Sequence, residues 1–194
     1  MPAIQIYLAS ASPRRRELLR QMGVAYRLLA VAVDETPLSN ERAHSYVARL
    51  AHAKAQAGMQ TLGRRKPCPV LGADTAVVIN NDVILGKPRD REEGLAMLAQ
   101  LSGREHQVLS AVALATPTRT AVKVQESRVR FRELTPLECA DYWDCRESLD
   151  KAGGYGIQGR AAAFISDLHG SYSGVMGLPL FETAELLREF GIHF

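Results

Sequence analysis

The stretch from Val70 to Ile79 most constrains what this chain can fold into: it is apolar enough for a buried strand, yet it carries Asp74. The pattern predicts strand residues Val70-Leu71 and Ala76-Val77-Val78-Ile79, interrupted by Gly72-Ala73-Asp74-Thr75. Burying a carboxylate without partners is costly, so Asp74 should be paired, metal-bound or catalytic. A strand-end aspartate bonding a turn would fit the same spacing, and spacing alone leaves both open.

Around this stretch, strands and helices intermix. Ile4 to Leu8 reads as a strand, Ser12 as an N-cap, and Pro13 as the first residue of a helix with Leu18, Leu19 and Met22 at helical spacing and Gly23 beyond them. Tyr26 to Val33 reads as a second strand. A long helix is expected over residues 41–62, with Ala43, Val47, Leu50, Ala51, Ala55 and Met59 mainly on one face. Gly63-Arg64-Arg65-Lys66-Pro67 reads as a solvated break and Asn80-Asn81-Asp82 as a hairpin-like turn. Asp90 can cap a helix running to Leu101. Val108 to Ala115 and Ala121 to Phe131 read as an antiparallel pair across Pro117. Thr135-Pro136 opens a helix to Cys145, residues 148–160 form a functional loop, and Phe164-Ile165 continues as a short strand. A last helix follows Gly177-Leu178-Pro179 and ends near Gly191. The pattern gives α/β or α+β with a mixed sheet, and 194 residues fit one large domain or two small lobes sharing a core, read here as a single domain over 1–194.

Net charge is +3, which suits an anionic substrate but does not by itself argue for nucleic acid. The basic runs Arg14-Arg15-Arg16 and Arg64-Arg65-Lys66 lack interleaved aromatics, and aromatics make up 6% of the chain, so a nucleic-acid partner is not expected. Three cysteines with no Cys-x-x-Cys read as reduced thiols of a cytoplasmic protein. No signal peptide and no run near 20 apolar residues is read, so no membrane partner is expected.

Several segments can carry chemistry. Ser10-Ala11-Ser12-Pro13-Arg14-Arg15-Arg16 places hydroxyls and arginines at a helix N-terminus, where backbone N–H groups attract anions. Cations there oppose the helix dipole by about 0.3–1 kcal/mol each, so a bound phosphate is a better reading than a merely capped helix. Asp34-Glu35, at a strand end, offers oxygens that hard cations such as magnesium prefer, though from the pair alone a solvated turn before Pro37 is the better reading. Lys54, on the core-proximal side of the long helix, and Lys87, in Gly86-Lys87-Pro88, can offset phosphate charge, though an isolated lysine is usually just solvated. Gly154-Tyr155-Gly156-Ile157-Gln158-Gly159 fits the dinucleotide fingerprint formally. A polar loop precedes it and strand-like Ala161 to Ile165 follows, so it is rejected. Gly170-Ser171-Tyr172-Ser173-Gly174 lacks the central serine of a nucleophile elbow.

Taken in order, these segments resemble the Maf family of nucleotide pyrophosphatases. The matching pieces run from Leu8-Ala9-Ser10-Ala11-Ser12-Pro13-Arg14-Arg15 through Val33-Asp34-Glu35, Gly72-Ala73-Asp74-Thr75, Gly86-Lys87-Pro88 and Leu101-Ser102-Gly103 to Asp150-Lys151-Ala152-Gly153-Gly154-Tyr155-Gly156-Ile157-Gln158-Gly159 and Gly170-Ser171-Tyr172 through Gly177-Leu178-Pro179-Leu180. The resemblance implies a twisted mixed β-sheet flanked by helices, in two lobes with a deep cleft, as in inosine-triphosphatase-like folds. It implies hydrolysis of dTTP and UTP to the monophosphate and pyrophosphate, assisted by a divalent cation (Mg2+ or Mn2+), in a homodimer that clears non-standard nucleotides. Asp74, Lys54 and Lys87 would be catalytic. Ser10, Ser12, Arg14, Arg15, Thr75 and Gln158 would bind substrate, with Arg14, Thr75 and Gln158 at the positions the family links to substrate choice. Glu35 and Asp74 would hold metal. The family is also associated with inhibition of septum formation, so a non-catalytic, nucleotide-binding regulator of cell division is the competing reading; the presence of Asp74, Glu35 and both lysines argues for catalysis.

Overall fold

The computed structural model describes residues 4–63, 68–80 and 82–194. The basic Arg64-Arg65-Lys66 run and Asn81 of the expected turn lie outside them. In chain order the elements are β1 (Ile6–Leu8), α1 (Pro13–Gln21), β2 (Tyr26–Leu28), α2 (Ala43–Leu62), β3 (Val70–Ile79), β4 (Val83–Leu85), α3 (Arg91–Leu101), β5 (Glu105–Ala115), β6 (Thr120–Phe131), α4 (Pro136–Asp144), β7 (Ile165–His169), α5 (Tyr172–Met176) and α6 (Leu180–Glu189). Two 3-10 segments, Ala152–Gly154 and Arg160–Phe164, lie between α4 and β7. No helix among the described residues is long and apolar enough to cross a membrane.

The strands form one mixed sheet in the order β2-β1-β3-β5-β6-β7, with β4 also on β3. β1 runs parallel to β2 and β3, and the remaining pairs are antiparallel. The expected mixed α/β class holds. β3 is the hinge of the design. One edge pairs with β5 from Val70 to Val78. The other edge pairs with β1 at Val70 and Leu71, then with β4 from Val77 to Ile79. Between them, Gly72 to Ala76 have no strand partner on that edge among the described residues. The split between β1 and β4 opens a cleft there, with Asp74 and Thr75 at its floor.

Alternation along β3 assigns its side chains to two faces. Ala76 and Val78 pack with Leu109, Ala111 and Ala113 of β5 against Ala43, Val47, Ala51 and Ala55 of α2. Small residues on both sides bring α2 very close. A Cβ on Gly72 would stand 2.4 Å from Ala51 O and 2.5 Å from Ala55 N. The α2 N-terminus has no cap from Arg42, and Asp82 supplies the acceptor instead, taking the Ala43 N–H at 3.0 Å. On the opposite face, Leu71 and Ala73 join a core with Leu8, Leu18, Leu178 and Leu187. Val77 and Ile79 join another with Leu98, Phe131, Tyr142 and Tyr155. Thr75 and Ser110 lie between the two.

Four expectations change. Gly72 to Thr75 do not interrupt the strand: β3 is continuous, because β5 pairs across every one of these residues. The second strand stops at Leu28 rather than Val33, because β1 offers it only three partners. Arg160–Phe164 is a 3-10 segment, not strand-like, and the strand begins only at Ile165. Helix α5 falls inside the segment dismissed as a false elbow; Ser171 caps it by accepting from Gly174 N at 2.9 Å.

Candidate active site

The site is built where β1 turns into α1. Ser12 caps α1, its hydroxyl accepting from Arg15 N at 3.5 Å, with Pro13 opening the helix. From this first turn Arg14 and Arg15 point in different directions. Arg15 reaches inward: its Nε donates to Gly177 O at 2.8 Å, Nη1 to Ser10 Oγ at 3.2 Å and Nη2 to Thr75 Oγ1 at 3.5 Å. Arg14 stays at the rim and pairs with Asp150 at 3.3 Å. Ser12, Arg14 and Arg15 line the cleft, whereas Ser10 stands behind Arg15 as an anchor outside its lining.

Opposite this turn, the close approach of α2 to Gly72 sets Lys54 against β3. Lys54 Nζ lies 2.7 Å from Asp74 Oδ1 and 2.6 Å from Glu35 Oε1. Asp74 is 7% exposed. Loss of hydration raises its pKa, and the nearby Lys54 and Arg15 charges only partly offset this. Burial also works against ionised Glu35, but the Lys54 hydrogen bond and the charges of Lys54, Lys87 and Arg15 outweigh it and hold its pKa low. Burial lowers the pKa of Arg15, against the pull of Asp74; a guanidinium nonetheless stays charged at working pH. Tyr46 donates to the Glu35 backbone carbonyl at 2.9 Å, and burial with the Asp74 and Glu35 charges pushes its phenol up to about 12.

The acidic pair divides its labour. Asp34 turns back on its own loop and accepts from Thr36 N at 2.9 Å, while Glu35 enters the site. One oxygen of Glu35 and one of Asp74 face the same ammonium, so a second oxygen of each remains. Two carboxylates at one spot are a donor set that magnesium accepts when phosphates and water complete its shell. Among the described residues, no group of three His, Cys, Asp or Glu side chains gathers to hold a metal by themselves.

The cleft encloses about 650 Å3. Lys87 lines it beyond β4, as do Thr75, Gln158 and the Gly156–Gly159 stretch. The loop carrying Gln158 is pinned from behind. Tyr155 Oη is 2.8 Å from His106 Nε2, and the Gly156 N–H donates to Tyr142 Oη at 3.1 Å. Glu147 and Asp150 also lie on the wall. Of the residues expected in the site, Ser12, Arg14, Arg15, Glu35, Lys54, Asp74, Thr75, Lys87 and Gln158 come together around one cavity, and Ser10 supports it. Sequence reasoning missed Tyr46, Glu147 and Ser110. Only Ser110 left a signal, as the one polar residue between Val108 and Ala115.

The family model described as Maf-like protein matches residues 5–190. A protein of Alkalilimnicola ehrlichii named dTTP/UTP pyrophosphatase is 54% identical over 192 residues, covering 97% of this chain and 94% of that relative. One of the same name from Aromatoleum aromaticum is 52% identical over 198 residues, covering 96% of each. Among solved structures, the Ham1 protein of Staphylococcus aureus is similar over 65% of this chain and 71% of its own, at 14% identity and a TM-score of 0.43, too loose a likeness to carry an argument.

Proposed function

The chain belongs to the Maf family, and we propose that it hydrolyses dTTP and UTP to the monophosphate and pyrophosphate by attack of water on the α-phosphate. The observation that carries this reading is the buried Asp74 carboxylate, held by Lys54 beside Glu35 in a cleft that Arg15 and Lys87 also line. The names of relatives above 50% identity support the substrate.

A triphosphate brings several negative charges, so positioning and neutralisation dominate the chemistry. Arg15 is fixed by three acceptors and meets phosphate with little left to reorganise. Lys87, which also lines the cleft, neutralises the phosphate chain, and free N–H groups at the start of α1 add to the field. Asp74 takes the proton of the attacking water. An ordinary aspartate, with a pKa near 3.9, is a poor base at neutral pH, and burial moves Asp74 in the useful direction. Lys54 holds the carboxylate in place and keeps it ionised.

Glu35 and Asp74 fit a divalent cation, magnesium or manganese, which when bound supplies Lewis acidity to the phosphates and makes water easier to deprotonate. Gln158 offers a carboxamide to the Watson–Crick edge of the base, where one amide can meet two adjacent groups. The test is pyrophosphate release from a panel of nucleoside triphosphates with either metal, for the wild type and for Asp74→Asn. dTTP and UTP should lead the panel, and Asp74→Asn should lose at least about a hundredfold. Equal turnover by Asp74→Asn would defeat the mechanism, and no turnover of either pyrimidine by the wild type would defeat the assignment.

A further inference from the structure

Telling one pyrimidine from another takes a group whose hydrogen-bond polarity is fixed. Uracil and thymine carry an N3–H donor, while cytosine carries a bare N3 acceptor. A carboxamide does not settle the matter alone, because a half-turn exchanges its oxygen and its NH2. Gln158 is exposed at the cleft wall and free to make that turn.

Thr75 is not free in this way. Its Oγ1 lies 2.8 Å from Ser110 Oγ, and Ser110 is fully buried. Ser110 owns one hydroxyl hydrogen. That hydrogen goes to Gly174 O, 2.6 Å away, since a carbonyl can only accept. The bond between the two hydroxyls must then use the Thr75 hydrogen. The other acceptor near Thr75, Gly177 O at 3.4 Å, also belongs to the fold rather than to a ligand. From another side, Arg15 Nη2 aims a donor at the same oxygen from 3.5 Å. Each contact keeps the Thr75 hydrogen off the cleft and leaves a lone pair for a ligand.

We infer that Ser110 is a specificity-determining residue: by fixing Thr75 Oγ1 as an obligate acceptor, it makes the cleft select a nucleoside that presents a hydrogen-bond donor there. The inference rests on the nucleotide reading above. Two parts of the substrate carry such a donor, N3–H of the base and the 3′-hydroxyl of the sugar. Ionised phosphate oxygens only accept and gain nothing at Thr75, so the phosphate chain belongs with Arg15 and Lys87. Ser110 touches no substrate in this account and acts through Thr75.

The experiment compares kcat/KM within two substrate pairs, UTP against CTP and dTTP against its 3′-deoxy analogue, using the whole protein. In the wild type, the donor-bearing member of one pair is preferred. Thr75→Val removes the acceptor and lowers that ratio roughly tenfold, the worth of one good hydrogen bond; Thr75→Ser keeps it. Ser110→Ala leaves the Thr75 hydrogen only the long contact to Gly177 O, which holds it weakly, so the hydroxyl can turn outward and the same ratio falls several-fold. General loosening would slow both members of a pair together and leave their ratio alone. A moving UTP:CTP ratio assigns the donor to N3–H, and a moving dTTP pair assigns it to the sugar. The inference is overturned if the wild type shows no preference in either pair, or if both ratios hold in Ser110→Ala. Should Ser110→Ala fail to fold, Ser110→Cys, with a weak donor of similar size, is judged by the same ratios. Absence of any turnover by the wild type would instead sink the pyrophosphatase reading, so the two failures stay distinct.

Discussion

Replacing Gly72 with alanine should break the site from behind, without touching a group that meets substrate. The new Cβ would lie 2.4 Å from Ala51 O and 2.5 Å from Ala55 N. Both are backbone atoms of α2, so no side chain can swing aside. Relief requires α2 to back away by at least about half an ångström, an overpacking cost of about 1–3 kcal/mol. For a domain of this size, each kcal/mol lowers Tm by about 2–4 °C. Lys54 rides on the same stretch of α2, between Ala51 and Ala55. Its 2.7 Å contact with Asp74 lengthens as the helix shifts. Misplacement by about 1 Å can cost on the order of a hundredfold in rate, so about a tenfold loss in kcat is expected for a smaller shift. Gly58→Ala is the control. Its Cβ would meet the buried Val70 Cγ1 at 2.6 Å, so it also crowds β3, but it lies a turn beyond Lys54 and should cost stability with a smaller loss in kcat. Thermal melts and steady-state kinetics on both variants decide the matter. A Gly72→Ala protein with wild-type Tm and kcat would refute the claim that this contact sets the Lys54–Asp74 geometry.

Other expectations follow from the charges. Lys54→Met removes a cation that lowers the Asp74 pKa, so that pKa climbs further and the acid limb of the pH–rate profile moves to higher pH; a limb that stays put would take Asp74 out of the base role. Burial pushes His106 from 6.5 down to about 4, so the unfolded chain binds the extra proton first. Its contribution to stability is therefore whole above about pH 6.5 and is lost as pH falls toward 4. Urea midpoints across that window should fall less steeply for His106→Phe than for the wild type. Thr135→Ala removes one half of the capping box with Glu138 and should cost about 1 kcal/mol in the same denaturation assay.

Much of this was legible in sequence wherever local rules and burial agree. Ser12-Pro13, Asp90 and Thr135-Pro136 mark the starts of α1, α3 and α4, because caps act within one turn. The apolar face of α2 placed Lys54 near the core. The misses depend on partners far away in sequence. The apolar run after Leu28 looks like strand, but β1 is too short to pair with it. Gly72 to Thr75 look like a break until β5 is seen to pair with them. Helix α5 has five residues, too few for a period to show. At the site, Asp74 stood out as a carboxylate in an apolar stretch. Its bond to Lys54 depends on how closely α2 packs on Gly72, and the role of Ser110 depends on where Gly174 places its carbonyl. Such distances follow from tertiary packing, not from spacing along the chain.

The central claim is that water attacks the α-phosphate under Asp74. Turnover of dTTP in heavy-oxygen water, with mass spectrometry of both products, tests it most directly. One labelled oxygen is expected in the nucleoside monophosphate and none in pyrophosphate. Label in pyrophosphate, or release of orthophosphate in its place, would contradict it.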